Sequence, residues 1–114
     1  MSIDKRAHIR FPVEVAGEIE LGGERVDVST QNLSRGGVAL VLEPAVEEGR
    51  TLHLSLFLTQ DGIEDPDEDP FEAQGIIRWV AENDAGLKVV GIQFAPLTAE
   101  QKAHLERFLR RIEG

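Results

Sequence analysis

The stretch Val13-Glu14-Val15-Ala16-Gly17-Glu18-Ile19-Glu20-Leu21-Gly22-Gly23-Glu24-Arg25-Val26-Asp27-Val28 decides the fold class. Val13, Val15, Gly17, Ile19 and Leu21 share one side of an extended chain, and Glu14, Glu18 and Glu20 share the other. A period of two with acids on one face is the signature of a half-buried strand. Gly22-Gly23 is a two-residue hairpin turn, because both central positions of the favoured turn require positive φ. Arg25 to Thr30 then alternates again through Val26 and Val28. The chain therefore opens its folded part with an antiparallel hairpin.

Outward from that hairpin the strand signal repeats. Gln31 to Gly37 is polar and glycine-bearing, and reads as a loop. Val38 to Leu42 is a short apolar strand stopped by Glu43-Pro44. Thr51 to Leu58 sets Leu52, Leu54, Leu56 and Leu58 against Thr51, His53, Ser55 and Phe57. Phe71 to Ala81 reads as a long strand with Phe71, Ala73, Ile77 and Trp79 on one face. Asn83 to Gly86 supplies a turn, and Leu87 to Phe94 is the last strand. Six strands joined mostly by short turns predict a mainly β protein, a closed or nearly closed six-stranded antiparallel β-barrel. The period then changes. Thr98 with Gln101 three residues on forms a capping box. Gln101, Leu105, Phe108, Leu109 and Ile112 fall on helical spacing, which predicts a C-terminal α-helix whose apolar stripe caps the barrel or serves a dimer.

These boundaries give one domain over residues 1–114: a flexible basic arm at 1–11, the barrel at 12–97 and the helix at 98–113. A chain of 114 residues suits one core and is too short for two. Its 41% hydrophobic and 29% charged content is that of an ordinary globular protein. Without cysteine it has no disulfide, zinc-thiolate site or cysteine nucleophile. The polar start and the short apolar runs predict no signal peptide and no membrane insertion, hence a cytoplasmic protein. The net charge of −9 opposes binding to a nucleic-acid strand, which needs a broad basic surface. Between Met1 and Arg10, however, Lys5, Arg6 and Arg10 stand against Asp4 alone. A small basic spot on an acidic body suits a compact anion.

Catalysis finds little support. His8, His53 and His104 fall on an arm, a strand and a helix, and no nucleophile turn, zinc-protease helix or phosphate-binding Gly-Lys-Ser/Thr loop occurs. Asp65, Asp67 and Asp69 open like a calcium loop, but Pro70 stands where glycine is needed and Ile76 where glutamate is needed, which rules the site out. We expect no enzyme activity, no metal and no cofactor. The stretch from Asp61 to Glu72 is a solvated acidic loop.

Two short elements carry binding chemistry. On an extended arm Arg6 and Arg10 point the same way, about 13 Å apart, and on a helical turn they are neighbours. A guanidinium fork chelates phosphate or the O6/N7 edge of guanine and stacks on bases. Asn32-Leu33-Ser34-Arg35-Gly36-Gly37 can shape a turn or bond a ligand, and its glycines permit positive φ and close approach.

Together these elements resemble the PilZ domain family. Arg6-Ala7-His8-Ile9-Arg10 fits its Arg-x-x-x-Arg motif, and Asn32 to Gly37 fits its Asp/Asn-x-Ser-x-x-Gly motif, in the right order. The likeness continues through Gly75-Ile76-Ile77-Arg78-Trp79-Val80, Gly91-Ile92-Gln93-Phe94 and Leu97, so it spans nearly the whole chain. The resemblance implies a PilZ-like barrel of the split-barrel type and a receptor for the bacterial second messenger cyclic di-GMP, bound as an intercalated dimer or a single molecule on the barrel's outer surface. By position, Arg6 and Arg10 hold guanine edges and phosphates and Asn32 meets a guanine edge. Ser34 meets a phosphate or the loop backbone, and Gly37 leaves room. Lys5 and Gly36 are further contacts. Trp79 could present a face to guanine, although its register with Phe71, Ala73 and Ile77 favours the core; Arg35, at a variable motif position, reads as solvated. The implied receptor is a monomer or weak dimer that changes its surface to signal to an unidentified partner protein in motility, pili or biofilm control. The alternative is a PilZ-like adaptor that binds no nucleotide and acts through protein–protein contact.

Overall fold

A computed structural model describes residues 11–57 and 70–113, with side chains through Arg110. The strands are β1 (Phe11–Pro12), β2 (Ala16–Leu21), β3 (Glu24–Leu33), β4 (Gly37–Leu42), β5 (Thr51–Leu56), β6 (Phe71–Glu82) and β7 (Lys88–Phe94), followed by helix α1 (Ala99–Glu113). Every pairing is antiparallel. The order β3-β2-β5-β6-β7-β4 closes on itself through a β3–β4 pairing, which makes a six-stranded barrel. β1 is a seventh, two-residue strand lying on β3, with Phe11 opposite Leu33 and Pro12 opposite Asn32.

The alternation in β2 folds as it reads. Gly17 and Ile19 are buried, and Ile19 pairs with Val26 across a turn in which Gly22 and Gly23 have φ of 60° and 85°. Both values are left-handed, as a type I′ turn requires. Inward residues from all the long strands, among them Ile19, Leu40, Leu54, Phe71 and Val90, fill one core. Leu58, expected to extend β5, lies outside the described residues; β5 ends at Leu56.

Helix α1 begins with the predicted capping box. The Thr98 amide donates to Gln101 Oε1 at 2.7 Å, and the Gln101 amide donates to Thr98 Oγ1 at 3.1 Å. Gln101 Nε2 also donates to the Glu72 carbonyl at 2.9 Å, fixing the first turn to β6. Leu105, Phe108 and Leu109 are buried in the barrel's own core cluster. His104 meets the edge of Phe71 with ring centroids 5.9 Å apart. The described part of the apolar stripe, Leu105, Phe108 and Leu109, therefore caps the barrel. No described helix is long and apolar enough to cross a membrane.

Two expectations change. The segment Gln31–Gly37 is not one loop: β3 runs on to Leu33 and β4 starts at Gly37, leaving a tight turn at 34–36. Both β3 and β6 also contain a bulge, where the register shifts between Thr30 and Asn32 and between Ile77 and Trp79. One extra residue on one strand reverses the faces of the residues that follow it. Strict alternation puts Trp79 in the core with Phe71, Ala73 and Ile77. With Arg78 as the extra residue, Val80 packs against the core and Trp79 turns outward, 39% exposed.

Candidate functional site

The two bulges act on the two ends of a single row of paired residues. Pro12 pairs with Asn32, Asn32 with Ala39, Ala39 with Gly91, and Gly91 with Trp79. Directly opposed residues in antiparallel strands share a face. Leu33, Val38, Ile92 and Ile77, one position along each strand or one bulge away, lie in the core. The row from Asn32 to Trp79 therefore runs across the barrel's outer wall. Without the bulge at Gln31, Asn32 would share the inward face of Thr30. Without the bulge at Arg78, Trp79 would share that of Ile77. Three strand spacings separate the ends, roughly 14 Å.

The middle of the row is small by necessity. A Cβ placed on Gly91 would lie 2.1 Å from Trp79 Nε1 and 2.2 Å from Cε2, so the indole lies directly over the Gly91 backbone. Ala39 beside it is fully buried. The row thus has an aromatic plate at one end, an amide side chain at the other, and small buried residues between them. Next to the plate, Arg78 Nε donates to Gln93 Oε1 at 2.5 Å, leaving further N–H donors of both exposed side chains at its edge.

The turn beyond Asn32 is closed by Ser34. Its hydroxyl accepts from the amides of Gly36 and Gly37 at 3.2 and 3.1 Å and donates to the Gly37 carbonyl at 3.2 Å. The Ser34 amide also donates to the Gly37 carbonyl at 2.9 Å. Ser34 is only 4% exposed. The contact to the loop backbone, one of its two expected roles, is therefore present. Gly37 is likewise explained by the protein itself. A Cβ there would lie 2.1 Å from the Ile92 carbonyl oxygen, so glycine makes room for β7. Neither Gly36 nor Gly37 has a positive φ.

Arg35 is not merely solvated. Its Nε donates to Glu106 Oε1, and its Nη2 donates to Glu106 Oε2 at 3.1 Å, a two-point pair with helix α1. The hydrogen bond from Arg35 holds the Glu106 carboxyl below its ordinary range, against a smaller opposing effect of burial; the Arg35 and Arg110 charges add to the lowering. A cleft of about 440 Å³ lies between this turn and α1, lined by Arg35, Gly36, Phe94, Leu97, Lys102 and Leu105 among others.

Arg6, Arg10 and Lys5 lie outside the described residues. At Phe11 and Pro12, immediately after Arg10, the chain runs beside Leu33 and Asn32. Thr30, which the sequence reading missed, anchors this entry. Its buried hydroxyl donates to the Val13 carbonyl at 2.6 Å and accepts from the Val15 amide at 2.9 Å. Its signal was visible as a hydroxyl in the inward register of Val26 and Val28. Ala39, Gln93 and Glu106 carried none, whereas Gly91, alone inside an apolar strand, marked a close approach.

A closed six-stranded barrel with a capping helix, a hydroxyl-locked turn and an outward aromatic defines a small β-barrel class. The sequence profile of the PilZ domain matches residues 4–111, and the chain belongs to the PilZ domain family. No curated protein sequence matches it. Among solved structures it is similar to the Bacillus subtilis inhibitor of motility MotI, with 19% identity and a TM-score of 0.77, over 96% of this chain and 51% of that one. It is also similar to the PilZ domain of Escherichia coli YcgR with c-di-GMP, with 15% identity and a TM-score of 0.75, over 96% and 92% of the two chains. The PilZ domain of CeSA from a cellulose-synthesizing bacterium is 18% identical with a TM-score of 0.65, over 93% and 99%. The chain thus spans about half of MotI and most of the isolated PilZ domains.

Proposed function

We propose that this chain is a cyclic di-GMP receptor that seats the nucleotide on the outer wall between Asn32 and Trp79. Arg6 and Arg10 close over it from the segment that enters beside Asn32. The observation that carries this reading is the row Asn32–Ala39–Gly91–Trp79, turned outward at both ends by bulges, with only small residues between them. A guanine base can lie against the indole face, where aromatic stacking contributes about 1–3 kcal/mol per base. The Asn32 amide can bond a guanine edge, and arginine forks can chelate phosphate. Membership of the PilZ family supports the ligand class, as does the likeness to a YcgR domain solved with c-di-GMP.

In this account Ser34 and Gly37 shape the site without touching the ligand, while Gly36 and Lys5 remain candidate contacts. The chain acts as one domain with a basic arm at 1–11, and it has no catalytic step. Binding gathers the arm onto the wall and alters the surface shown to a downstream protein, in motility, pili or biofilm control. Calorimetry with cyclic di-GMP tests this. Saturable heat at on the order of tens of micromolar ligand is expected for the wild type, and its loss in the Arg6→Ala/Arg10→Ala double variant. Well-folded wild-type protein that gives no heat in that range would leave only the nucleotide-free adaptor.

A further inference from the structure

Arg35 and Glu106 are 71 residues apart in sequence, yet their side chains bridge the motif turn and helix α1. Both ends of the bridge are firmly mounted. On one side, Arg35 is flanked by Ser34 and Gly36, whose backbone is locked by the Ser34 hydroxyl, and the Gly36 carbonyl accepts from the Phe94 amide at 2.9 Å. On the other, Glu106 sits between Leu105 and the Phe108–Leu109 pair, all buried in the core. Arg110 Nε, one helical turn on, stands 3.9 Å from Glu106 Oε2 and adds a second cation.

The side chains of Arg35 and Glu106 are 35% and 32% exposed. An ion pair with that access to solvent adds little to global stability. Its geometry is nevertheless restrictive, because a planar fork on a carboxylate fixes distance and orientation together. The expected consequence is therefore positional rather than energetic.

We propose that Glu106 is a positioning residue for the motif turn: through Arg35 it references residues 34–37 to helix α1, so that nucleotide seated beside the turn is felt by the helix. The coupling half of this statement rests on the receptor reading above; the positioning half does not. Energetic coupling through such a bridge travels both ways, since any force that moves the turn loads the helix and the reverse.

The test is amide hydrogen exchange on the full chain with Glu106→Gln, which keeps the shape and removes the charge. In ligand-free protein, the Gly36 and Gly37 amides should exchange faster by roughly 2- to 30-fold, with the unfolding midpoint little changed. The reversed pair Arg35→Glu/Glu106→Arg should restore protection, which a merely solubilising charge would not do. With cyclic di-GMP, exchange in α1 between Lys102 and Leu109 should change in the wild type and not in Glu106→Gln. Wild-type exchange at Gly36 and Gly37 in Glu106→Gln would overturn the positioning role. A nucleotide response in α1 that survives in Glu106→Gln would overturn the coupling. If the wild type binds no cyclic di-GMP, the receptor reading falls, and the ligand-free arm decides the positioning role alone.

Discussion

Gly37→Ala separates a glycine that makes room for the protein from one that makes room for a ligand. The added methyl would sit 2.1 Å from the Ile92 carbonyl oxygen, 0.9 Å inside the 3.0 Å that real Cβ contacts respect. The obstacle is backbone on the paired strand, so no side chain can swing aside. β4 must lift from β7 at the Gly37–Gln93 pair. That displacement strains the neighbouring bond from the Phe94 amide to the Gly36 carbonyl and the bonds that close the turn on Ser34. Overpacking of this kind costs about 1–3 kcal/mol, and one weakened backbone bond adds about 1 kcal/mol. The sum, about 2–4 kcal/mol, is a large part of the ~5–15 kcal/mol that holds a domain of this size. Urea unfolding should show the midpoint fall with the slope unchanged, and the fraction still folded should retain cyclic di-GMP binding measurably. A variant as stable as wild type that has lost the nucleotide would refute this reasoning and return Gly37 to the ligand.

Further outcomes follow from the same geometry. Ser34→Ala leaves the Gly36 and Gly37 amides without their hydroxyl acceptor and should lower stability by about 1–3 kcal/mol in chemical denaturation, since buried amides lose a partner. Gly91→Ala forces the indole off its seat; a red-shifted Trp79 emission and weaker cyclic di-GMP binding should appear together, at a stability cost of about 1–3 kcal/mol. Thr98→Ala removes one half of the capping box and should cost about 1 kcal/mol, read as a melting point lower by about 4 °C. Glu106 has a depressed carboxyl, so its bridge to Arg35 is present above the ordinary carboxylate range and is lost as pH falls through the lowered value, below 4.5. Exchange at Gly36 and Gly37 should rise over that acid window in the wild type and stay flat in Glu106→Gln.

Much of the fold was legible because it rests on local chemistry. Alternation in β2 and β5, the Gly22-Gly23 turn and the Thr98–Gln101 box each depend on residues a few positions apart. The motif turn was legible as a turn for the same reason, since Ser34 bonds amides two and three residues on. What the sequence hid lies in register. A bulge adds one residue without changing composition, so nothing in Gln31 or Arg78 announces that Asn32 and Trp79 face outward. The pairing of Gly37 with Gln93 is also set across strands, and only there does the glycine acquire its reason. The Arg35–Glu106 bridge is hidden in the same way, because a variable motif position and a helical glutamate are ordinary surface charges until the fold brings them together. Arg6 and Arg10, the arginines of the motif, lie outside the described residues, and the described chain begins at Phe11 beside Leu33.

Trp79 is the chain's one tryptophan, and it forms one end of the wall assigned to the nucleotide. A fluorescence titration with cyclic di-GMP, run beside calorimetry on the same sample, therefore addresses that wall directly. A saturable change in Trp79 emission with the midpoint of the heat signal, absent with GMP at equal concentration, is the predicted result. Binding heat with unchanged Trp79 emission would place the nucleotide elsewhere on the barrel and contradict the account.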